Sequence, residues 1–116
     1  MARLILSLDN QVLAEYNMTK ERYTIGRLPD NDVRIDNPAV SGHHSLIINI
    51  LNDSFLEDLN STNGTFINDK RVARAVLNNN DEVHIGKHSL QIQFKAEGSN
   101  ASDQDFGDKT VILSNG

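Results

Sequence analysis

The segment SLQIQF (89–94) sets apolar residues at positions 90, 92 and 94, with a glutamine between each pair. Successive side chains of a β-strand point to opposite faces, so this alternation predicts a strand with one buried and one solvated face. The N-terminal segment repeats the pattern with Leu4, Leu6 and Leu8. A third segment, SLIINIL (45–51), is apolar on both faces and predicts a strand that is covered on both sides.

Turn-forming residues separate these segments. Asn and Asp hydrogen-bond their own backbone and tolerate positive φ, which is why they mark turns. Such residues lie at 9–10, 29–32, 37–38, 52–53, 63–64, 68–69 and 78–81. Short strands with frequent turns predict an all-β fold, an antiparallel sandwich or barrel. The segment 69–75 is the one place where a single helical turn is also compatible with the sequence.

Composition excludes several classes of function. The chain has 116 residues and a net charge of −5, from 16 acidic and 11 basic side chains. It therefore lacks the basic excess that drives binding to nucleic acid. No apolar stretch approaches the roughly 20 residues of a membrane span, and no signal peptide is expected, so we predict no membrane partner. The absence of cysteine excludes disulfides and thiolate metal sites, and fits a cytoplasmic location.

Three polar loops lie between the predicted strands. In Gly26-Arg27, glycine permits a tight turn and the arginine offers a planar fork of donors suited to carboxylate or phosphate. The second loop, SGHH (41–44), sets a serine hydroxyl beside two imidazoles. The third, NSTNGTF (60–66), gathers hydroxyls, an amide and backbone N–H groups in one turn, which suits an anion or a peptide backbone. Taken alone, each loop is better explained by a structural role: a solvated arginine, a loop whose hydroxyl and imidazole tie down backbone groups, and a simple turn.

In this order and spacing, the three loops resemble those of the forkhead-associated (FHA) domain. The resemblance runs from about Arg3 to Phe94 and includes TIGRLPDNDVRID (24–36), VSGHHSLI (40–47), LEDLNSTNGTFIND (56–69) and LNNNDEVHIGKHSLQI (77–92). It implies a two-sheet antiparallel β-sandwich of about 11 strands over residues 1–95, which binds phosphothreonine through loops at one end. The chain departs from the family at Asn80, where glycine is usual, although Asn also tolerates positive φ.

The resemblance also implies a role for each loop residue. Arg27 is expected to pair with the phosphate, Ser41 and Thr62 to donate hydroxyls, Gly42 to donate its N–H, and Asn63 to hold the peptide backbone. Gly42 differs from relatives that carry a larger polar side chain there, which removes one ligand contact.

Three further residues are implied as the architecture of the pocket. Gly26 and Gly64 permit the turns, and His44 braces the loop that holds Ser41. The predicted function is a non-catalytic phosphothreonine-binding module in Ser/Thr kinase signalling, with no cofactor. Its partners would be a Ser/Thr protein kinase and proteins that contain phosphothreonine.

Residues 96–116 are small, polar and acidic, and we expect them to form a flexible tail. Thr110 lies in this tail, and Leu113 follows it at a spacing that FHA domains often recognise. One hypothesis is that phosphorylated Thr110 binds the pocket of its own chain or of another copy, so that the protein self-associates through the tail. The other is that the Thr110 segment is an edge strand or the start of a further segment.

Two alternatives for the function are a hydrolase and a phosphate-independent scaffold. The hydrolase would use Ser41, or a metal, with His43, His44, His84 or His88. Since Gly86-Lys87 separates His84 from His88, we expect these two to flank a hairpin turn and predict no metal site. The presence of Arg27, Ser41 and Asn63 argues against the scaffold.

Overall fold

The computed structural model describes residues 2–94, which form eleven strands in two sheets. The strands are β1 Ala2–Leu8, β2 Gln11–Met18, β3 Arg22–Gly26, β4 Val33–Arg34, β5 Ser45–Ile50, β6 Asp53–Asp58, β7 Thr65–Ile67, β8 Lys70–Val72, β9 Arg74–Leu77, β10 Glu82–Ile85 and β11 His88–Phe94. One sheet has the order β2-β1-β11-β10-β7-β8 and the other β4-β3-β5-β6-β9. The predicted all-β sandwich of about 11 strands is confirmed.

The core lies between the two sheets and is built from the alternating apolar residues. Leu90 and Ile92 of β11 are fully buried, as is Leu4 of the neighbouring β1. The opposite sheet contributes Ile47 and Leu56, which face each other across the β5–β6 pair and are also fully buried. Burying each such side chain favours folding by about 1.5–3 kcal/mol, so the alternation seen in the sequence accounts for the sandwich.

Polar residues with positive φ make the tight turns. Asp9 and Asn10, with φ of 52° and 64°, connect β1 to β2. Asn68 and Asp69, with φ of 47° and 75°, connect β7 to β8. Asn80 has a φ of 71°, a conformation that asparagine adopts more readily than most residues.

Three local expectations differ from the structure. Residues 69–75 contain no helical turn, because Lys70–Val72 pairs with β7 and β9 begins at Arg74. The SLIINIL strand is covered on both faces only in its first half, since Ile50 is 49% and Leu51 97% exposed. One strand pair, β3 with β4, is parallel.

Strand pairing brings the three polar loops to one end of the sandwich. Antiparallel pairing places Ile25, at the end of β3, opposite Ser45, at the start of β5. Ser45 in turn lies opposite Asp58, the last residue of β6. The loops that follow β3, precede β5 and follow β6 therefore meet.

No helix long and apolar enough to span a membrane occurs within residues 2–94. The predicted tail, with Thr110, lies outside the described residues.

Candidate functional site

The first loop contact joins the end of β3 to the segment before β5. The backbone N–H of Arg27 donates to the carbonyl of Ser41 at 3.0 Å, and that of Leu28 to the carbonyl of Gly42 at 3.2 Å. The Arg27 side chain is exposed, and its Nε donates to the carbonyl of Val40 at 3.1 Å. This bond anchors the guanidinium beside Ser41 and leaves its two terminal nitrogens available to a ligand.

Gly26 allows this contact because the loops approach closely there. A Cβ at position 26 would lie 2.2 Å from the Gly42 oxygen and 2.8 Å from Nδ2 of Asn31. That same Nδ2 donates to the carbonyls of Leu28 and Gly42, each at 2.8 Å. Asn31 is 8% exposed, so its amide holds the two loops together from the inside.

The second loop contact joins Ser41 to the loop between β6 and β7. Ser41 Oγ accepts a hydrogen bond from the N–H of Thr62 at 3.0 Å, which leaves the Ser41 hydroxyl hydrogen able to donate elsewhere. The Asn63 amide donates to the carbonyl of Ala39 at 2.8 Å. The side chains of Thr62 and Asn63 are both exposed, whereas Ser41 is half-buried. Both hydroxyls and the amide therefore border one surface.

His44 lies beneath this surface and links the same two loops. Its imidazole is fully buried, and Nδ1 accepts the N–H of Ser41 at 3.1 Å. This assigns the ring proton to Nε2, which donates to the carbonyl of Gly64 at 2.9 Å. Because both ring nitrogens are bonded to backbone groups, His44 is not placed to accept the proton of the Ser41 hydroxyl.

Asp58 organises the loop between β6 and β7 from below. Its carboxylate accepts the N–H of Ser61 at 3.0 Å, the Ser61 hydroxyl at 2.5 Å and the Thr65 hydroxyl at 2.6 Å. The Ser61 hydroxyl oxygen then accepts the N–H of Gly64 at 3.0 Å. Partial burial raises the pKa of Asp58, but the hydrogen bonds from Ser61 and Thr65 outweigh it, and the pKa lies below its ordinary 3.8.

Gly64 completes the loop in a conformation that L-residues rarely adopt. Its φ is +93°, and a Cβ there would lie 2.8 Å from Nε of Arg71. The loop therefore needs glycine at this position for its backbone conformation and for the room that the Arg71 side chain occupies.

The structure brings all five predicted binding residues to one surface. They are Arg27, Ser41, Gly42, Thr62 and Asn63, with Gly26, His44 and Gly64 behind them.

The other histidines have separate surroundings. His43 pairs with Asp30 at 2.9 Å and His84 with Glu82 at 3.5 Å, while His88 lies buried at the start of β11. Residues 2–94 contain no group of three His, Asp or Glu side chains arranged to hold a metal.

Asn31, Asp58 and Ser61 were not identified from the sequence. Asp58 precedes Ser61 by three residues, a spacing at which a carboxylate commonly bonds a turn of its own chain, so the signal existed. Asn31 also bonds the nearby Leu28 carbonyl, but the bond to Gly42 that joins the two loops spans eleven residues, and no local sequence pattern predicts it.

Comparisons with known proteins identify the family and the fold. The model of the FHA domain family matches residues 23–86. Over 89 residues the chain is 42% identical to the glycogen accumulation regulator GarA of Mycolicibacterium smegmatis, a match that covers 77% of this chain and 56% of GarA. Over 73 residues it is 38% identical to the transcriptional regulatory protein EmbR of Mycobacterium tuberculosis, which covers 62% of this chain and 19% of EmbR.

Solved structures give the same result. A structure described in a study of phosphothreonine-dependent FHA domain interactions has a TM-score of 0.75 and 28% identity, and the match covers 83% of this chain and 99% of that one. Mycobacterium tuberculosis EmbR with a low-affinity phosphopeptide has a TM-score of 0.73 and 28% identity, and the match covers 84% of this chain and 26% of that one. The chain thus corresponds to one part of EmbR and to little more than half of GarA.

Proposed function

The chain belongs to the FHA domain family, whose model matches more than half of it, and we propose that it binds phosphothreonine in partner proteins of Ser/Thr kinase signalling. The observation that carries this proposal is the position of the Arg27 guanidinium. It is exposed, anchored through Nε, and held beside the Ser41 hydroxyl by the backbone contact between their loops.

The charges and donors of the site match a phosphate. A phosphothreonine carries about −1.5 to −2 charge and three acceptor oxygens. Arg27 offers two terminal nitrogens and Ser41 a hydroxyl. The N–H of Gly42 makes no backbone hydrogen bond within residues 2–94 and adds a further donor. Charge-assisted hydrogen bonds of this kind are shorter and about twice as strong as neutral ones.

Thr62 and Asn63 supply the remaining contacts. The exposed Thr62 hydroxyl is placed beside Ser41 by the bond between Thr62 N–H and Ser41 Oγ, and it would donate to the same phosphate. The Asn63 amide, held at Ala39, retains its carbonyl oxygen and one N–H for the peptide backbone.

Non-catalytic binding fits this geometry better than hydrolysis. A serine nucleophile needs a base within hydrogen-bond reach of its hydroxyl, and the nearby His44 directs Nδ1 to the backbone N–H of Ser41 instead. His43 is engaged with Asp30. We therefore propose that Ser41 acts as a hydrogen-bond donor.

Calorimetric titration with a phosphothreonine peptide library and its unphosphorylated twin tests this function. The phosphorylated library should bind the protein, and the unphosphorylated library of the same sequences should not. Arg27→Ala removes charge-assisted bonds worth about 3 kcal/mol together, which corresponds to an affinity about 150-fold lower. Arg22→Ala, at the far end of the same strand, is the matched control and should bind like the wild type. Equal affinities for wild type and Arg27→Ala would contradict the proposal.

The same pocket provides the test for Thr110. We propose that a chain phosphorylated at Thr110 binds this pocket, in its own molecule or in another copy. Phosphorylated chain should then compete with the library peptide, and its Thr110→Ala counterpart treated with the same kinase should not. Equal competition by both chains would contradict self-recognition, while the proposal that the pocket binds phosphothreonine would still stand.

A further inference from the structure

Arg71 lies beside the candidate site without belonging to the set described above. It is the middle residue of β8 and pairs with Phe66 of β7, in the hairpin that follows the Asn63 loop. Its side chain extends to Gly64, where Nε and Cζ lie 2.8 and 3.1 Å from the position of a Cβ on that glycine. The guanidinium therefore lies against the residue that directly follows Asn63.

The positive charge of Arg71 is not neutralised within residues 2–94. Its side chain is exposed and makes no ion pair or side-chain hydrogen bond with any described residue. Three other arginines do pair with carboxylates: Arg3 with Glu15, Arg34 with Asp36 and Arg74 with Glu57. Arg22 is likewise exposed and has no carboxylate partner among the described residues, but it lies at the end of β3 that is remote from the loops.

The contact with Gly64 places the Arg71 side chain against the backbone of the Asn63 loop. A guanidinium packed on a backbone has lost part of its rotamer freedom before any ligand arrives, which lowers the entropic cost of binding. Its planar fork suits a carboxylate, which it can bind through two parallel hydrogen bonds. Arg71 thus combines an exposed charge, a backbone contact that restricts its rotamers, and a location next to Asn63, which is proposed to hold the peptide.

We infer that Arg71 forms a second anion subsite, which binds the carboxylate of an Asp or Glu in the same peptide that carries the phosphothreonine. This inference rests on the proposed function, because the phosphate holds the peptide while Arg71 selects among peptides. A single exposed ion pair contributes little to binding affinity. We therefore expect a peptide with a correctly placed acidic residue to bind about threefold to fivefold more tightly than one without it.

A positional scan tests the subsite. One phosphothreonine peptide is prepared with a single Asp moved through each position from four before to four after the phosphothreonine, and each peptide has an Asn twin. Affinities are measured for the wild type, Arg71→Gln and the control Arg22→Gln. We expect Asp to bind about threefold to fivefold more tightly than Asn at one or two positions. This gain should persist in Arg22→Gln and disappear in Arg71→Gln, while the Asn peptides bind all three proteins equally.

Two further measurements separate the outcomes. Arg71→Lys keeps the charge without the fork, so it should retain part of the gain, and thermal unfolding of each variant reports whether its fold is intact. A wild type with no Asp preference at any position, or a preference that persists in Arg71→Gln, would overturn the subsite. Failure of the wild type to bind any phosphothreonine peptide would instead overturn the proposed function. A peptide with phosphoserine in place of Asp at the preferred position should also bind the wild type more tightly than the Asn peptide does. This gain in affinity should disappear in Arg71→Gln, and a gain that persisted in that variant would overturn the subsite.

Discussion

Replacing Gly26 with alanine inserts a methyl group into the contact between the first two loops. The new carbon would lie 2.2 Å from the Gly42 oxygen and 2.8 Å from Nδ2 of Asn31, closer than real Cβ contacts. Since carbon and oxygen normally approach to about 3.3 Å, the Gly42 backbone must move by about 1 Å. Ser41, the residue before Gly42, moves with it, away from Arg27.

The cost of this change follows from the contacts involved. Overpacking in a well-packed contact costs about 1–3 kcal/mol. The Gly42 carbonyl accepts two hydrogen bonds, from Leu28 and Asn31, and weakening them adds about 1 kcal/mol. We expect the free energy of unfolding to fall by about 2–4 kcal/mol, from a total that is about 5–15 kcal/mol for a domain of this kind. Loss of one charge-assisted bond from Ser41 should lower phosphopeptide affinity by about 30-fold.

Urea denaturation and calorimetry on the same sample measure both effects. Gly42→Ala is the matched control, because its Cβ would meet only side-chain carbons of Leu28, at 3.0 and 3.2 Å. That side chain can adjust, so Gly42→Ala should cost less than about 1 kcal/mol. A Gly26→Ala protein within about 0.5 kcal/mol of wild-type stability and with wild-type affinity would show that the two loops do not need glycine at this contact.

Three further predictions concern other parts of the molecule. Because the pKa of Asp58 is held below 3.8, its stabilising effect is complete above the unfolded-state pKa and is lost as pH falls through the folded-state pKa. Urea melts from about pH 5 to about pH 2.5 should therefore show the stability difference between wild type and Asp58→Asn shrinking, and a constant difference would count against this assignment. Leu51, 97% exposed with a φ of 56°, is strained, so Leu51→Asn should raise the free energy of unfolding by about 0.5–1 kcal/mol without changing affinity. A phosphoserine peptide should bind about fourfold more weakly than its phosphothreonine twin, since it lacks one methyl group, and equal affinities would contradict this preference.

The sequence predicts the fold well because its strands follow one simple rule. A strand with one buried face places every second side chain in the core. Leu90 and Ile92 follow this alternation, and both are fully buried. The rule fails where an apolar residue serves a turn, as at Leu51. It also fails for β8 and β9, which are three and four residues long, too short to show a period.

The site was predictable where residues belong to the three recognisable loops, as Arg27, Ser41 and Asn63 do. Asn31 and Arg71 were harder to identify, because they act through contacts between separate elements. Asn31 acts across eleven residues and Arg71 packs on Gly64 from a neighbouring strand. Contacts of this kind depend on how the strands pair, and a sequence pattern contains no direct record of strand pairing.

The most direct test of the site is an amide correlation NMR titration of the full chain with a phosphothreonine peptide and with its unphosphorylated twin. We expect saturable shifts at the amides of Gly42 and Thr62 and at the Arg27 side-chain N–H with the phosphorylated peptide alone, and no shifts around Leu51 at the opposite end. Shifts of equal size with both peptides, or shifts centred on Leu51, would contradict it.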